Sequence, residues 1–244
     1  MKKHCTAVIL AAGSGKRMQS STAKQFMLLD GKPLIWYALH AVENSDIIDQ
    51  CILVTGAHDI DYVRREIVEY YGFHKVVHIL AGGSERWESV ANVIAPLDGS
   101  CYLPKDGYVF IHDGARPFLT EKILRDTFAD AVQYGACVAA VPSKDTVKIS
   151  DSDGFALNTP DRRNVWIVQT PQVFLNAYAM EAYECLRKDV QRRGKEQITV
   201  TDDASVVEQY LDKTVKMTVS SYRNIKITTP EDICIADIFC HQKE

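Results

Sequence analysis

The 244-residue sequence lacks any apolar run near the roughly 18 residues that a membrane-spanning helix requires. It also lacks an excess of positive charge, because 28 lysines and arginines stand against 32 aspartates and glutamates. We therefore expect neither a membrane nor a nucleic acid among its partners. If its ligand is anionic, local cations must bind it.

Cysteine and histidine patterns typical of metal centres are also missing. The seven cysteines are an odd number without a C-x-x-C pair, and the seven histidines have no H-E-x-x-H spacing. We therefore expect neither a disulfide framework nor a zinc site. The first apolar run leads into a glycine loop rather than a cleavage site, which predicts a cytoplasmic protein.

Three common phosphate-loop signatures are absent as well. Residues 13–18 read G-S-G-K-R-M and so lack the third glycine of the dinucleotide fingerprint. No glycine precedes a Lys-Ser or Lys-Thr pair, and the companion motifs of the kinase glycine loop are missing. These absences argue against a nicotinamide or flavin enzyme, a P-loop protein and a kinase.

What the sequence does have is a short apolar strand that ends in a glycine-rich loop with cations. Backbone N–H groups around Gly13 and Gly15 can approach a phosphate closely, because neither residue has a Cβ. Arg17 and Lys24 add positive charge beside them. The pattern fits a triphosphate cradle, and it equally fits a plain turn between a strand and a helix.

Apolar runs alternate with helix-period segments in β-α order over residues 6–141. This alternation predicts an α/β fold with a mostly parallel sheet and helices on both faces, whose ligands bind at the carboxyl ends of the strands. The predicted strands are 6–10, 51–54, 76–80, 108–112, 137–141 and 215–220, and the predicted helices are 33–44, 59–71, 84–97, 120–133, 175–188, 202–211 and one from Pro230.

The alternation stops at residues 143–165, which read as two short strands around an Asp-Ser-Asp-Gly turn. A hairpin this polar buries little surface by itself. It therefore either lies on its own domain or reaches to a partner.

Residues 81–86, A-G-G-S-E-R, follow the third predicted strand. Gly83 and its neighbouring glycine let the backbone lie against a flat ligand such as a base. Ser84 is expected to cap the helix that holds Ser89. A glycine turn followed by a helix cap is the alternative.

Asp113 emerges at the end of the fourth predicted strand, within H-D-G-A-R-P. A carboxylate at this edge suits a ribose hydroxyl or a magnesium ion carried by phosphates. A structural turn from Asp113 to Arg116 is the competing interpretation.

Two later segments carry further candidates. Thr201 or Asp202 is a natural cap for the helix that follows, in T-D-D-A-S. Lys226 is a single lysine in what reads as an apolar strand, so it either faces an anionic partner or points to solvent.

Taken in order across nearly the whole chain, these motifs resemble the 2-C-methyl-D-erythritol 4-phosphate cytidylyltransferases of the non-mevalonate isoprenoid pathway. The matching segments are L-A-A-G-x-G-x-R-M, K-Q-F, A-G-G-S-E-R, H-D-G-A-R-P, D-T-V-K, T-P-D-R, Q-T-P-Q, T-D-D-A-S and N-I-K-I-T-T-P-E-D.

The resemblance implies a single Rossmann-like nucleotidyltransferase domain over residues 1–244, a homodimer joined through the hairpin arm, and CTP with Mg²⁺. It implies that Arg17 and Lys24 stabilise the transition state and that Arg162 and Lys226 position the acceptor phosphate. Arg163 follows directly, so the arm assignment stays open by one residue. The implied nucleotide site is Ala11, Ala12, Gly13, Gly15, Gly83, Ser84, Ser89, Asp113 and Arg116, with Asp113 also a metal ligand; the implied substrate-binding residues are Thr146, Thr170 and Thr201.

Two other functions compete. A ribitol 5-phosphate cytidylyltransferase shares the fold and the CTP loop but accepts a different polyol phosphate. A regulatory nucleotide-binding module would keep the glycine loop, but it would not need the acceptor cations Arg162 and Lys226.

Overall fold

The computed structural model describes residues 3–13, 23–100 and 102–242. Within these ranges the strands are β1 (His4–Ala11), β2 (Leu28–Leu29), β3 (Lys32–Pro33), β4 (Gln50–Thr55), β5 (Val76–Ala81), β6 (Gly107–Asp113), β7 (Ala136–Pro142), β8 (Ile149–Ser150), β9 (Ala156–Asn158), β10 (Trp166–Leu175) and β11 (Lys216–Val219). Seven of them form one sheet with the order β11-β7-β10-β6-β1-β4-β5. Two short antiparallel hairpins, β2–β3 and β8–β9, stand apart from it.

The main sheet is parallel except for β10, which pairs antiparallel with both β6 and β7. This confirms the predicted mostly parallel sheet. Its register brings the strand ends together, since Ala11 pairs with Thr55 and Thr55 pairs with Ala81. On the other side of β1, Leu10 pairs with Asp113. Ala11, Ala81 and Asp113 therefore end at one edge of the sheet, where ligands of such folds bind.

The α-helices are α1 (Leu34–Glu43), α2 (Ile60–Tyr62), α3 (Arg86–Ile94), α4 (Glu121–Tyr134), α5 (Asn176–Arg193), α6 (Asp203–Leu211) and α7 (Pro230–His241). Helices cover both faces of the sheet, which explains why its central strands are mostly apolar and buried. One core contains α1, the helical residues 60–69 and α4; the opposite core contains α3, α5 and α6. The segment 57–69 joins a 3₁₀ turn, α2 and a π-helical stretch, at the place of the predicted helix 59–71.

A third, smaller core lies under α7. It is formed by Leu29, Leu34, Ala115, Ile227 and Ala236, all buried. None of the described helices is long and apolar enough to cross a membrane.

The predicted strand around Lys226 is wrong, because residues 221–229 join no sheet. The apolar alternation of Ile225 and Ile227 has another cause: both pack into the core beneath α7. One of the hydrogen bonds that hold the backbone there runs from Ile227 N–H to the carbonyl of Ala115, at 2.8 Å.

The hairpin expected at residues 143–165 is present as β8 and β9. Its turn is closed by Asp151, whose carboxylate accepts the backbone N–H of Asp153 at 3.1 Å and that of Phe155 at 2.9 Å. Gly154 adopts φ +85°, a conformation that favours glycine. The apolar side chains of Phe155, Ile149 and Leu157 are exposed by 51 to 72%. The hairpin follows β7, so it begins at the carboxyl edge of the sheet, where β1, β5 and β6 also end.

Candidate active site

A cavity of about 510 Å³ opens at the carboxyl edge of the sheet, between β1, β5 and β6. Its described lining holds three basic side chains and two acidic ones, so it is suited to an anion that also carries polar groups. The described lining residues are Leu10, Ala11, Ala12, Gly13, Lys24, Gln25, Gly83, Ser84, Glu85, Arg86, Ser89, Asp113, Ala115 and Lys226.

One wall of the cavity is the glycine pair that follows β5. A Cβ on Gly82 would lie 2.3 Å from the Cβ of Ala12, and a Cβ on Gly83 would lie 2.3 Å from that of Glu88. The buried Ser89 hydroxyl accepts the backbone N–H of Gly83 at 3.0 Å. The glycines therefore let the β5–α3 loop close tightly against the end of β1, and the base-binding interpretation is not needed to explain them.

The start of α3 differs from the prediction that Ser84 caps it. The cap is Glu85, in a reciprocal capping box with Glu88. Ser84 instead donates its backbone N–H and its hydroxyl to Glu88 Oε2, both at 2.7 Å. Burial opposes ionisation of Glu88, but these hydrogen bonds from Ser84 and Glu85 outweigh it and lower its pKa.

Asp113 lies at the centre of the charged groups of the cavity. Its Oδ2 is 2.6 Å from Lys226 Nζ, and its Oδ1 is 3.3 Å from Arg86 Nε. Burial alone would raise the pKa of Asp113, but Arg86 and Lys226 hold it far below its ordinary value. The carboxylate is therefore charged at neutral pH.

A chain of hydrogen bonds holds the backbone of Asp113 in place. Its backbone N–H donates to Thr170 Oγ1 at 3.1 Å, and Thr170 Oγ1 lies 3.0 Å from His112 Nδ1. His112 Nε2 lies 3.2 Å from the carbonyl of Arg116, which can only accept. The proton of the imidazole is therefore on Nε2, and Thr170 donates its hydroxyl to Nδ1. Burial lowers the pKa of His112 to about 4, so the ring is neutral.

Lys226 is positioned by its neighbours on the chain. The buried Asn224 donates its Nδ2 to the carbonyl of Thr170 at 2.9 Å and accepts Arg116 Nη1 on its own carbonyl at 2.6 Å. On the other side of Lys226, the backbone N–H of Ile227 donates to the carbonyl of Ala115. Arg116 thus fastens the segment that carries Lys226, and it also closes a turn through its backbone N–H to the Asp113 carbonyl at 3.0 Å.

Arg86 enters the cavity from the first turn of α3. Its Nη1 and Nη2 donate to the Asp203 carboxylate at 2.8 and 2.7 Å, and Tyr183 donates its hydroxyl to Asp203 Oδ1 at 2.6 Å. Burial opposes the charge on Arg86, but Asp203 and Asp113 reverse this effect and raise its pKa.

The structure brings most of the predicted site residues together. Those lining the cavity are Ala11, Ala12, Gly13, Lys24, Gly83, Ser84, Ser89, Asp113 and Lys226. Thr170 and Arg116 lie behind it as described above. Gly15 and Arg17 fall outside the described residues.

Besides Thr170 and Arg116, three predicted residues are not part of the described lining. Thr146 and Arg162 are exposed in and beside the hairpin arm, and Arg162 Nη1 donates to the carbonyl of Lys144 at 3.2 Å. Thr201 is exposed ahead of α6, and its backbone N–H donates to Ser205 Oγ at 3.2 Å. The cap of α6 is Asp202, one of the two predicted candidates.

Some residues of the site were not predicted, among them Arg86, Asp203 and Gln25, which is buried beside Lys24. Arg86 stands in A-G-G-S-E-R and Asp203 in T-D-D-A-S, so both motifs were visible in the sequence. The sequence does hold one signal for Asp203: T-D-D-A-S has two aspartates, and Asp202 alone is enough to cap the helix.

A magnesium ion fits these residues only together with a ligand. No group of three or more histidine, cysteine, aspartate or glutamate side chains in the described ranges is arranged to hold a metal. Asp113 offers one carboxylate at the cavity, and Mg²⁺ is commonly bound by one or two carboxylates plus substrate phosphates.

Comparisons with known proteins agree on one family. The family model described as 2-C-methyl-D-erythritol 4-phosphate cytidylyltransferase matches residues 5–242. A protein of that name from Lachnospira eligens is 48% identical over 234 residues, covering 96% of this chain and 98% of its own. Another from Lachnoclostridium phytofermentans is 42% identical, covering 98% and 97%.

Solved structures agree with these relatives. The crystal structure of 4-diphosphocytidyl-2C-methyl-D-erythritol synthase from Anaerococcus prevotii superposes with a TM-score of 0.80 at 32% identity. The match covers 99% of this chain and 100% of that one. The likeness therefore extends over the whole fold and not only over the glycine loop.

Proposed function

This chain belongs to the 2-C-methyl-D-erythritol 4-phosphate cytidylyltransferase family, and from that premise we propose how its cavity carries out the reaction. The enzyme converts CTP and 2-C-methyl-D-erythritol 4-phosphate into 4-diphosphocytidyl-2-C-methyl-D-erythritol and pyrophosphate, in non-mevalonate isoprenoid biosynthesis. The family match decides against a ribitol 5-phosphate enzyme and against a regulatory module.

The proposal rests on one observation: Asp113, Lys226 and Lys24 line the same cavity, next to the end of β1. A phosphate oxygen of the acceptor attacks the α-phosphorus of CTP. The bond from that phosphorus to the bridging oxygen of the β-phosphate breaks, and pyrophosphate leaves with the electron pair. No side-chain nucleophile is needed, so the protein contributes position and charge.

Lys24 and Arg17 stabilise the negative charge that gathers on the α-phosphate and on the leaving pyrophosphate. Support for Lys24 is its place in the cavity, at the start of a 3₁₀ turn whose N–H groups follow the glycine loop. Arg17 and Gly15 are proposed from the sequence alone.

Cytosine and ribose occupy the part of the cavity between β1 and α3. A Cβ on Gly82 would collide with Ala12 and one on Gly83 with Glu88, so the backbone packs closely there, and we propose that this packing rejects a larger purine. The residues proposed to bind the nucleotide there are Ala11, Ala12, Gly13, Gly83, Ser84, Ser89 and Asp113.

Asp113 is proposed to hold Mg²⁺ together with the phosphates of CTP. When bound, the ion neutralises phosphate charge and polarises the α-phosphate. Asp113 itself keeps its charge for this role, because Lys226 and Arg86 hold it ionised.

The acceptor phosphate lies between Lys226 and a hairpin arm. Arg162 is the better arm candidate, since Arg163 already binds the Asp161 carboxylate through its Nε at 3.0 Å and its Nη2 at 2.5 Å. Arg162 and Thr146 lie outside the cavity of their own chain, so we propose that the arm of one protomer completes the site of its partner in a homodimer. The exposed Ile149, Phe155 and Leu157 provide an apolar surface for that contact.

A cytoplasmic location is proposed from the thiols. None of the six described cysteines forms a disulfide. A reducing compartment keeps thiols in that state.

Pyrophosphate release tests the function. The protein is mixed with CTP, Mg²⁺ and either 2-C-methyl-D-erythritol 4-phosphate or ribitol 5-phosphate. We expect pyrophosphate and the cytidylylated product with the first acceptor alone. Equal or faster release with ribitol 5-phosphate would overturn the assignment.

A further inference from the structure

Asp203 is fully buried, and it uses both carboxylate oxygens to bind the guanidinium of Arg86. Two parallel N–H to oxygen bonds fix the plane of a guanidinium as well as its position. The hydroxyl of Tyr183 provides a third hydrogen bond, so Asp203 has a defined orientation of its own.

The backbone around Asp203 is fixed from the sheet. Gln172 of β10 donates its Nε2 to Asp202 Oδ2 at 2.9 Å and accepts the backbone N–H of Ala204 on Oε1 at 2.9 Å. The residues on both sides of Asp203 are therefore held by one side chain. This rigid support positions a carboxylate that does not itself line the cavity.

The distances show how closely Arg86 contacts each of its two carboxylate partners. Its bonds to Asp203 are 2.8 and 2.7 Å long, while Nε lies 3.3 Å from Asp113. Lys226 is the closer cation to Asp113, at 2.6 Å. Asp203 thus binds both terminal nitrogens of Arg86 and leaves only Nε at Asp113, where Lys226 is the one cation bound at short distance.

We propose that Asp203, supported by Tyr183, is a positioning residue for CTP: it draws Arg86 away from Asp113 and so keeps the Asp113 carboxylate open to the bound nucleotide. This inference rests on the proposed binding of CTP in the cavity. Without the Asp203 charge, Arg86 would turn its guanidinium onto Asp113, and CTP would have to displace it.

The test measures the KM for CTP by pyrophosphate release and the Kd for Mg²⁺ with CTP by calorimetry. Asp203→Asn keeps the size of the side chain and is expected to raise both constants about tenfold, and Tyr183→Phe about threefold. The KM for the acceptor should change less than about twofold in both variants, because Lys226 keeps its place.

A double-mutant cycle separates positioning from general damage. If Asp203 acts through Arg86, Asp203→Asn should add less than about twofold to the KM for CTP in an Arg86→Gln background. Additive effects would overturn the proposal. So would a lowered thermal midpoint with an unchanged KM in both Asp203→Asn and Tyr183→Phe.

The chain offers a matched control in Tyr210, Asp189 and Arg192. There Tyr210 OH and Arg192 Nη2 bind the Asp189 carboxylate, both at 2.9 Å, and none of the three lines the cavity. Asp189→Asn and Tyr210→Phe are expected to leave the KM for CTP within about twofold of the wild type.

The variant Asp113→Asn separates a failure of the proposed nucleotide site from a failure of the positioning role of Asp203. If this variant binds CTP as tightly as the wild type, then the proposed nucleotide site is wrong. If it binds weakly while Asp203→Asn and Tyr183→Phe bind normally, then only the positioning role is wrong.

Discussion

The ammonium of Lys226 lies 2.6 Å from a carboxylate oxygen of Asp113, across 113 residues of sequence, at the edge where the parallel strands end. The pair places a cation and an anion in the lining of one cavity. A phosphate arriving at Lys226 has to compete with Asp113, and a divalent cation arriving at Asp113 has to compete with Lys226. The two proposed substrates therefore meet at this ion pair.

Lys226→Met should raise the KM for 2-C-methyl-D-erythritol 4-phosphate by about two orders of magnitude, because the variant loses a charge-assisted contact with a dianion. The KM for CTP should change much less. Steady-state pyrophosphate release with each substrate varied in turn measures both.

Lys216→Met is the control for Lys226→Met. Lys216 is an exposed lysine on β11, whose Nζ lies 5.6 Å from the Tyr134 ring centroid, outside the described lining of the cavity. Its kinetic constants should match the wild type. A Lys226→Met variant that shows a raised KM for CTP alone would contradict the placement of the acceptor.

Lys24→Ala and Arg17→Ala should lower kcat by orders of magnitude, about a hundredfold or more, since each removes charge that acts on the transition state. Circular dichroism and the thermal midpoint should remain near those of the wild type, because Lys24 is only partly buried. Single-turnover measurements with saturating CTP isolate the chemical step. Near-normal turnover in either variant would remove its assigned role.

Lys122→Ala serves as the control for the loss of a lysine. Its Nζ pairs with Asp126 on an exposed face of α4, in an arrangement that contributes little to stability. We expect unchanged kcat and KM.

The sheet and the edge that holds the site were predictable because their signals are local. Apolar runs such as residues 51–54 and 108–112 identify strands, and the topology of a parallel sheet then gathers Ala11, Ala81 and Asp113 at one edge. The residues at those strand ends are therefore predictable from the sequence alone.

The contacts that organise the charge were not predictable in the same way. Arg86 and Asp203 are 117 residues apart, and nothing in either motif identifies the partner. The alternation of Ile225 and Ile227 predicts a strand around Lys226, but burial under α7 produces the same alternation. Serine is a common helix cap, which favours Ser84, but Glu85 and Glu88 form the capping box.

Arg162→Ala should raise the KM for the acceptor by about tenfold or more while the KM for CTP stays near its wild-type value. Arg163→Ala is the matched control, because its guanidinium is already bound to Asp161. If Arg163→Ala alone affects the acceptor, the assignment shifts by one residue.

The same pair tests the proposed dimer. Mixing Arg162→Ala with an inactive Lys24→Ala variant should restore activity, because one of the two sites in a mixed dimer combines an intact arm with an intact cavity. Activity that merely equals the sum of the separate variants would show that the arm serves its own chain.

His112 makes a separate prediction about stability. It is buried and neutral, with a pKa of about 4, below the ordinary histidine value near 6.5. The unfolded chain therefore binds a proton between these two values while the folded chain does not. The contribution of the neutral ring to the free energy of unfolding is fully present above pH 6.5, and it falls as the pH drops from 6.5 towards 4.

Urea unfolding at pH 7.5 and at pH 5 measures this effect. His112 should account for about 2 kcal/mol of the stability that the wild type loses at pH 5, given the two pKa values. When the pH is lowered from 7.5 to 5, the His112→Gln variant should lose about 2 kcal/mol less stability than the wild type. The variant is less stable than the wild type at pH 7.5, because glutamine cannot repeat both hydrogen bonds of the ring to Thr170 and Arg116. His58→Gln, a change at an exposed histidine, should keep the pH dependence of the wild type. A His112→Gln variant with the same dependence would show that the buried ring is not the source of the acid sensitivity.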